Sequence, residues 1–176
     1  MIIEDNNFLT REHKDHIDND ILGANFPWFY SSLIKDTNNS YEEKPYFHHA
    51  VLRRPDLREI GELYNSHHSE FCIDVLNTFC NKNNIQYKNI YRINFNCDFN
   101  NGYETCDPHE DHPFPHYQLI VYLNDCSDDL YTVIKKGDQE IKIKPEKYKG
   151  VSFEKNIHYH YYPKQGRRVV LVMTFN

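Results

Sequence analysis

The stretch PHEDHPFPHYQLIVYL, beginning at Pro108, places three histidines and two carboxylates between positions 109 and 116, directly before a run that reads as a β-strand. With eleven histidines in the chain, a cluster alone carries little meaning, and spacing has to decide. His109 and Asp111 are two residues apart, so in an extended segment both side chains leave the same face and can converge on one ion, while Glu110 points away. His112 and His116 share that register with no following carboxylate. A zinc-protease helix would need a histidine four positions after His109, where Pro113 stands.

The pair lacks a third ligand, and the C-terminal stretch NIHYHYYPKQGRRVVLVMTFN offers two. His158 and His160 fall on one face of a strand, Tyr159 and Tyr161 on the other. Two histidines and one carboxylate on one triangular face of an octahedron suit ferrous iron and leave positions open for a co-substrate and dioxygen. Open coordination separates a reacting metal from a structural one. Beyond the PKQG turn stand Arg167 and Arg168, and a guanidinium near such a site is suited to a bidentate grip on a carboxylate.

Those residues need a scaffold. From Asp56 to about Phe79 apolar residues recur with a period near 3.6, which predicts a helix starting after Pro55 and stopped by NKNN. Up to about Tyr46 the chain reads as polar and irregular, broken by the aromatic knot NFPWFYSSLI, expected to pack a lid or arm onto the body. The segments IQYKNIYRINFN, HYQLIVYLN, LYTVIKK, QEIKIK, GVSFE, NIHYHYY and RRVVLVMTF are short, rich in β-branched and aromatic residues, and separated by turn residues. A succession of short strands with helix on the N-terminal side predicts a mainly β fold, a sandwich or jelly roll carrying helix on one outer face.

Composition narrows the partners. At 176 residues the chain is long enough for one domain with a real core. A formal charge of -6 without basic blocks argues against nucleic acid and anionic lipid, and no apolar stretch approaches membrane-spanning length. Five cysteines form no CxxC pair and no signal peptide precedes the N-terminal residues, so reduced thiols in a cytoplasmic protein are expected, in the host cytoplasm were the source viral.

The ordered set HED, LIVYLND, IKPEKYKGVSFEKNIHYH and PKQGRRVVLVMTF resembles the Fe(II)- and 2-oxoglutarate-dependent dioxygenases. The likeness is strongest to the prolyl-4-hydroxylase-like branch with its compact phage and marine bacterial members, and it covers about Tyr91 to the C-terminus. It implies a double-stranded β-helix, the cupin-like jelly roll, in a single domain over 1–176: an N-terminal arm over 1–55, a supporting helix over 56–83 and the core over 84–176. His109 and Asp111 match the proximal metal ligands and His158 the distal one, with His160 competing for that place. Arg168 matches the residue that holds the distal carboxylate of 2-oxoglutarate, with Arg167 as its competitor, and Tyr122 matches a tyrosine that supports the same carboxylate. DLYT stands where many members have a Gly-Gly-Glu-Thr turn, and IKPEKYKG carries an extra residue.

The resemblance implies Fe(II), 2-oxoglutarate and dioxygen, with ascorbate as an auxiliary reductant, and a reaction that couples 2-oxoglutarate decarboxylation to hydroxylation. Halogenating relatives have a small residue in place of the carboxylate that Asp111 retains. The substrate would be a prolyl or other protein side chain, a peptide or a small molecule. The alternative is a cupin-like metal-binding module without 2-oxoglutarate turnover. Thr132 reads as an ordinary strand residue, Arg92 and Asn94 as a solvated strand face in preference to a lining of the pocket entrance, and Tyr122 equally as a core tyrosine. His48, His49, His67 and His68 read as surface or helix positions, and the cysteines as small buried hydrophobes.

Overall fold

Alternation along the last strand decides the layout. In β10 (Arg167–Phe175) the side chains of Val169, Leu171, Met173 and Phe175 enter one hydrophobic core, while Val170 and Val172 enter a second and Arg168 leaves on that same side. The strand is therefore buried on both faces. The computed structural model describes residues 1–32, 44–58, 64–127 and 129–176.

Ten strands and two α-helices are described: β1 (Ile2–Asp5), α1 (Arg11–His16), β2 (Phe29–Ser31), β3 (Tyr46–Leu52), α2 (Ser69–Lys82), β4 (Ile90–Phe99), β5 (Tyr117–Tyr122), β6 (Thr132–Lys136), β7 (Gln139–Ile143), β8 (Gly150–Glu154), β9 (His158–His160) and β10. They form a seven-stranded sheet in the order β1-β8-β5-β10-β4-β3-β2 and a three-stranded sheet in the order β7-β6-β9, all pairings being antiparallel. Between the sheets Ile120, Tyr122, Val170 and Val172 meet Ile134 and Ile143, and this is the expected jelly roll.

The outer face of the large sheet is covered by α2. Its buried residues Cys72, Val75, Leu76, Phe79 and Cys80 follow helical spacing and pack on Leu119, Val121, Leu171 and Met173. A Cβ at Gly150 would lie 2.7 Å from the Phe8 ring and 2.8 Å from that of Phe79, so only glycine lets the helix lie this close to β8.

Two expectations are corrected. The helix begins at Ser69 and not after Pro55, where the described residues form a 3-10 turn over Pro55–Leu57. The amide of Asn65 is committed to the carbonyl of Val51 in β3 at 2.9 Å, which ties the chain down just before the helix. Ile60 and Leu63, which extended the apparent period, lie outside the described residues. The end agrees, with Asn84 at φ 56° breaking the helix after Lys82.

The segment read as irregular also carries β1, α1 and β2, and β3 begins at its end. The strands find their partners far away in sequence, Ile2 opposite Phe153 and Phe47 opposite Cys97. Helix α1 is capped by Thr10, whose hydroxyl accepts the His13 amide while the His13 ring takes the Thr10 amide, a box closed by histidine in place of the usual acid. Of the aromatic knot, Phe26 reaches the core against Trp28 and Phe95, and Leu33 and Ile34 lie outside the described residues.

Candidate active site

Between the sheets lies a cavity of about 590 Å³. At one end the loop before β5 runs beside β9. His109 and His158 exchange both backbone hydrogen bonds, at 3.0 and 2.9 Å, and their rings stand 4.6 Å apart. His109 Nδ1 is 2.7 Å from the Asp107 carbonyl, and His158 Nδ1 is 3.0 Å from that of Asn156. A carbonyl can only accept, so each Nδ1 carries a proton, and the neutral form of either ring presents its lone pair at Nε2.

Asp111 is 3% exposed. Its Oδ1 accepts from Arg92 Nη1 at 2.8 Å and its backbone carbonyl accepts from Arg54. Its Oδ2 is buried with no hydrogen-bond partner and stands 3.9 Å from His158 Nε2. Burial alone would raise this carboxyl, but the Arg92 guanidinium, with Arg54 also nearby, outweighs it and holds the group well below the usual carboxylate range. Burial, with His109 nearby, pushes His158 down to about 4, so its ring is neutral at pH 7. Among the described residues no group of three His, Cys, Asp or Glu side chains is closed enough to hold an ion as it stands. An orphaned carboxylate oxygen beside two imidazoles with fixed tautomers fits a divalent metal of the first transition row.

At the other end the two arginines part. Arg167 is exposed and donates to the Leu22 carbonyl at 3.3 Å, whereas Arg168, 3% exposed, turns into the cavity. Arg168 Nη1 donates to Asp98 at 2.9 Å and Nη2 to the Thr132 hydroxyl at 3.2 Å, which also accepts from Tyr122 at 2.7 Å. Tyr122 is fully buried with its ring 5.7 Å from the guanidinium, and it reaches the site through Thr132. His160 faces this end: its Nε2 is 3.2 Å from Asp98 Oδ2 and its Nδ1 3.2 Å from Cys106 Sγ. The structure thus sets His158 beside Asp111 and His160 beside Asp98.

Several residues escaped the sequence reading. The solvated face assigned to Arg92 and Asn94 is the cavity wall, since Arg92, Asn94, Asn96 and Asp98 alternate along β4 toward the second sheet. The alternation was visible in YRINFNCDF, and what the sequence did not display was the sheet that covers it. Thr132 bridges Tyr122 and Arg168. Gln118 is 3.3 Å from His158 Nε2. His49 and His68 are buried at 6% and 4% exposure, His49 bonding the Pro27 carbonyl and Ser66, and half-buried His48 lines the cavity. Cys106 is more than a small hydrophobe: burial would raise its thiol, but His160 and His109 bring it down to about 6. His112 and His116 turn elsewhere, to Thr174 at 2.8 Å and the Phe114 carbonyl at 2.9 Å.

No protein-family model matches the sequence, and no curated protein matches it. Solved structures do. An oxidoreductase of the 2OG-Fe(II) oxygenase family from Burkholderia pseudomallei superposes with a TM-score of 0.76 at 14% identity, over 99% of this chain and 84% of that one. A prolyl hydroxylase from Trichoplax adhaerens, in complex with a hypoxia inducible factor peptide, gives 0.65 at 14% identity over 99% and 82%. A non-heme α-ketoglutarate-dependent epimerase from nogalamycin biosynthesis gives 0.65 at 8% identity over 99% and 77%. On these likenesses, with its two facing antiparallel sheets, the chain has the jelly-roll fold of the 2OG-Fe(II) oxygenases.

Proposed function

We propose that the protein is an Fe(II)- and 2-oxoglutarate-dependent dioxygenase that hydroxylates a substrate seated in the cavity between its sheets. The observation that carries this reading is the orphaned Oδ2 of Asp111, buried beside the Nε2 of His158 and across the backbone bridge from His109. In this reading His109, Asp111 and His158 hold the metal, and Arg168 takes the distal carboxylate of the co-substrate.

Ferrous iron with 2-oxoglutarate and dioxygen supplies the oxidising chemistry that places a hydroxyl on a C–H bond and releases succinate and carbon dioxide. The chain's own contribution is orientation. The carbonyls of Asp107 and Asn156 hold the two imidazoles in the ligating tautomer, and Arg92 holds Oδ1 of Asp111 so that Oδ2 faces the histidines. Ile120, Val170 and Val172 form an apolar wall that keeps water from the reacting centre. Asn94, Asn96, His48 and Tyr46 line the cavity with hydrogen-bonding groups. That mixture suits a prolyl or other side chain of a peptide, or a polar small molecule. Fold likeness does not choose between them.

One observation favours a second reading, a metal-binding module without 2-oxoglutarate turnover: Arg168 is already paired with Asp98. Anaerobic titration of the Fe(II)-loaded protein with 2-oxoglutarate separates the two. A visible charge-transfer band from the iron chelate, weakened in Arg168→Ala, supports the oxygenase, whereas iron binding without a band leaves the module.

A further inference from the structure

Asp98 has no role in the ligand set or the anchor proposed above, yet it stands where the end of a dicarboxylate would have to fit. It faces Arg168 across the β4–β10 ladder, and both side chains are 3% exposed. Arg168 Nη1 donates to its Oδ2 at 2.9 Å, and the same oxygen is the one His160 Nε2 approaches to 3.2 Å. Arg168 Nη2 is committed to Thr132, and the buried Nε has no partner. The guanidinium therefore has its charge balanced from within the protein, and an incoming carboxylate meets a fork whose two terminal nitrogens are both engaged, one of them by a carboxylate. A second carboxylate brought to the same cation lies close to Asp98, and like charges in a buried site repel strongly.

We infer that Asp98 is a built-in competitor of the co-substrate: it occupies the Arg168 anchor in the free protein and sets how strongly the pocket prefers a 2-oxo dicarboxylic acid to a 2-oxo monocarboxylic acid. The inference rests on the oxygenase reading. Pyruvate is the discriminating probe, because it shares the iron-chelating end of 2-oxoglutarate and lacks the distal carboxylate.

The test is anaerobic titration of the Fe(II)-loaded full chain with 2-oxoglutarate and with pyruvate, in the wild type, Asp98→Asn and Asp98→Glu, read by the chelate band. Asp98→Asn is expected to tighten 2-oxoglutarate binding by about tenfold or more while leaving pyruvate unchanged. Asp98→Glu, which keeps the charge and pushes it farther into the cavity, is expected to weaken 2-oxoglutarate alone, and it carries the test should Asp98→Asn not fold. In the metal-free protein, 2-oxoglutarate is expected to raise the Tm of Asp98→Asn more than that of the wild type, since the ligand then supplies the missing counter-charge. Unchanged or weaker 2-oxoglutarate binding in Asp98→Asn, or equal shifts for both acids, overturns the inference and leaves the oxygenase reading standing. A band from neither acid in any of the three proteins removes the oxygenase reading, and this inference with it.

Discussion

Arg92 Nη1 donates to Oδ1 of Asp111 at 2.8 Å, on the side of the carboxylate away from its orphaned oxygen. One guanidinium thereby fixes the rotation of a carboxylate that has no other side-chain hydrogen bond among the described residues. Removing it with Arg92→Ala is expected to weaken Fe(II) binding by about 10- to 100-fold, as loss of a group that orients a ligand generally does. Arg92→Lys should restore part of it, because a point charge keeps the attraction and loses the fork. Calorimetric titration with Fe(II), or with Co(II) in air, reads both. Equal affinities in wild type and Arg92→Ala would leave Arg92 as a wall residue only.

The two histidines of β9 are expected to separate cleanly. His158→Ala should abolish metal binding, whereas His160→Ala should retain it, because His160 faces Asp98 and Cys106. Metal retained by His158→Ala and lost by His160→Ala would exchange their roles.

The adjacent arginines should differ in the same way. Arg168→Ala is expected to raise the 2-oxoglutarate concentration needed for half-saturation by at least about tenfold, with little change in iron affinity. Arg167→Ala, on the exposed side of β10, should change neither. Thermal unfolding is a needed control for Arg168→Ala, since it leaves Asp98 buried with a cation removed, a change that costs about 3–5 kcal/mol when one partner of a buried pair is deleted.

Acid should loosen the fold through buried histidines. Burial pushes His68 and His112 down to about 4. Their unfolded forms take up a proton near pH 6.5 and their folded forms resist until about pH 4. The stability these rings contribute is therefore whole above pH 6.5 and is lost as pH falls toward 4. Urea midpoints measured across that window should fall with pH, and His68→Phe, which keeps a ring and cannot titrate, should flatten part of the slope. A slope unchanged in that variant would assign the effect to other groups.

The core was more legible than the lining. Period-2 alternation in RRVVLVMTF and YRINFNCDF is a backbone property and survives any context, so both faces of β10 and β4 could be read from sequence. Which face meets solvent depends on whether a second sheet covers it, and that is decided by β6 and β9, far from β4 in the chain. Arg92 and Asn94 were misplaced for that reason. The start of α2 was missed because apolar spacing ran on past a segment whose amide at Asn65 is spent on β3, a partner that local propensity does not contain. Thr132 stayed hidden because a hydroxyl in a strand reads the same whether it faces water or bridges Tyr122 to Arg168.

Strand β10 gives one face to the packing under α2 and the other to the cavity. A shift of its pairing by a single residue would turn Arg168 and Thr174 into the hydrophobic layer and Leu171 and Met173 into the pocket. Folding of this strand and placement of Arg168 in the cavity are thus the same event, and a well-packed state with Arg168 turned out of the cavity is costly. Length changes in the turn ahead of β10, at positions 163–166, should be selected against as severely as substitutions in the site, and Gly166, at φ 70°, is held to glycine, whereas the exposed Lys164 and Gln165 are free to drift.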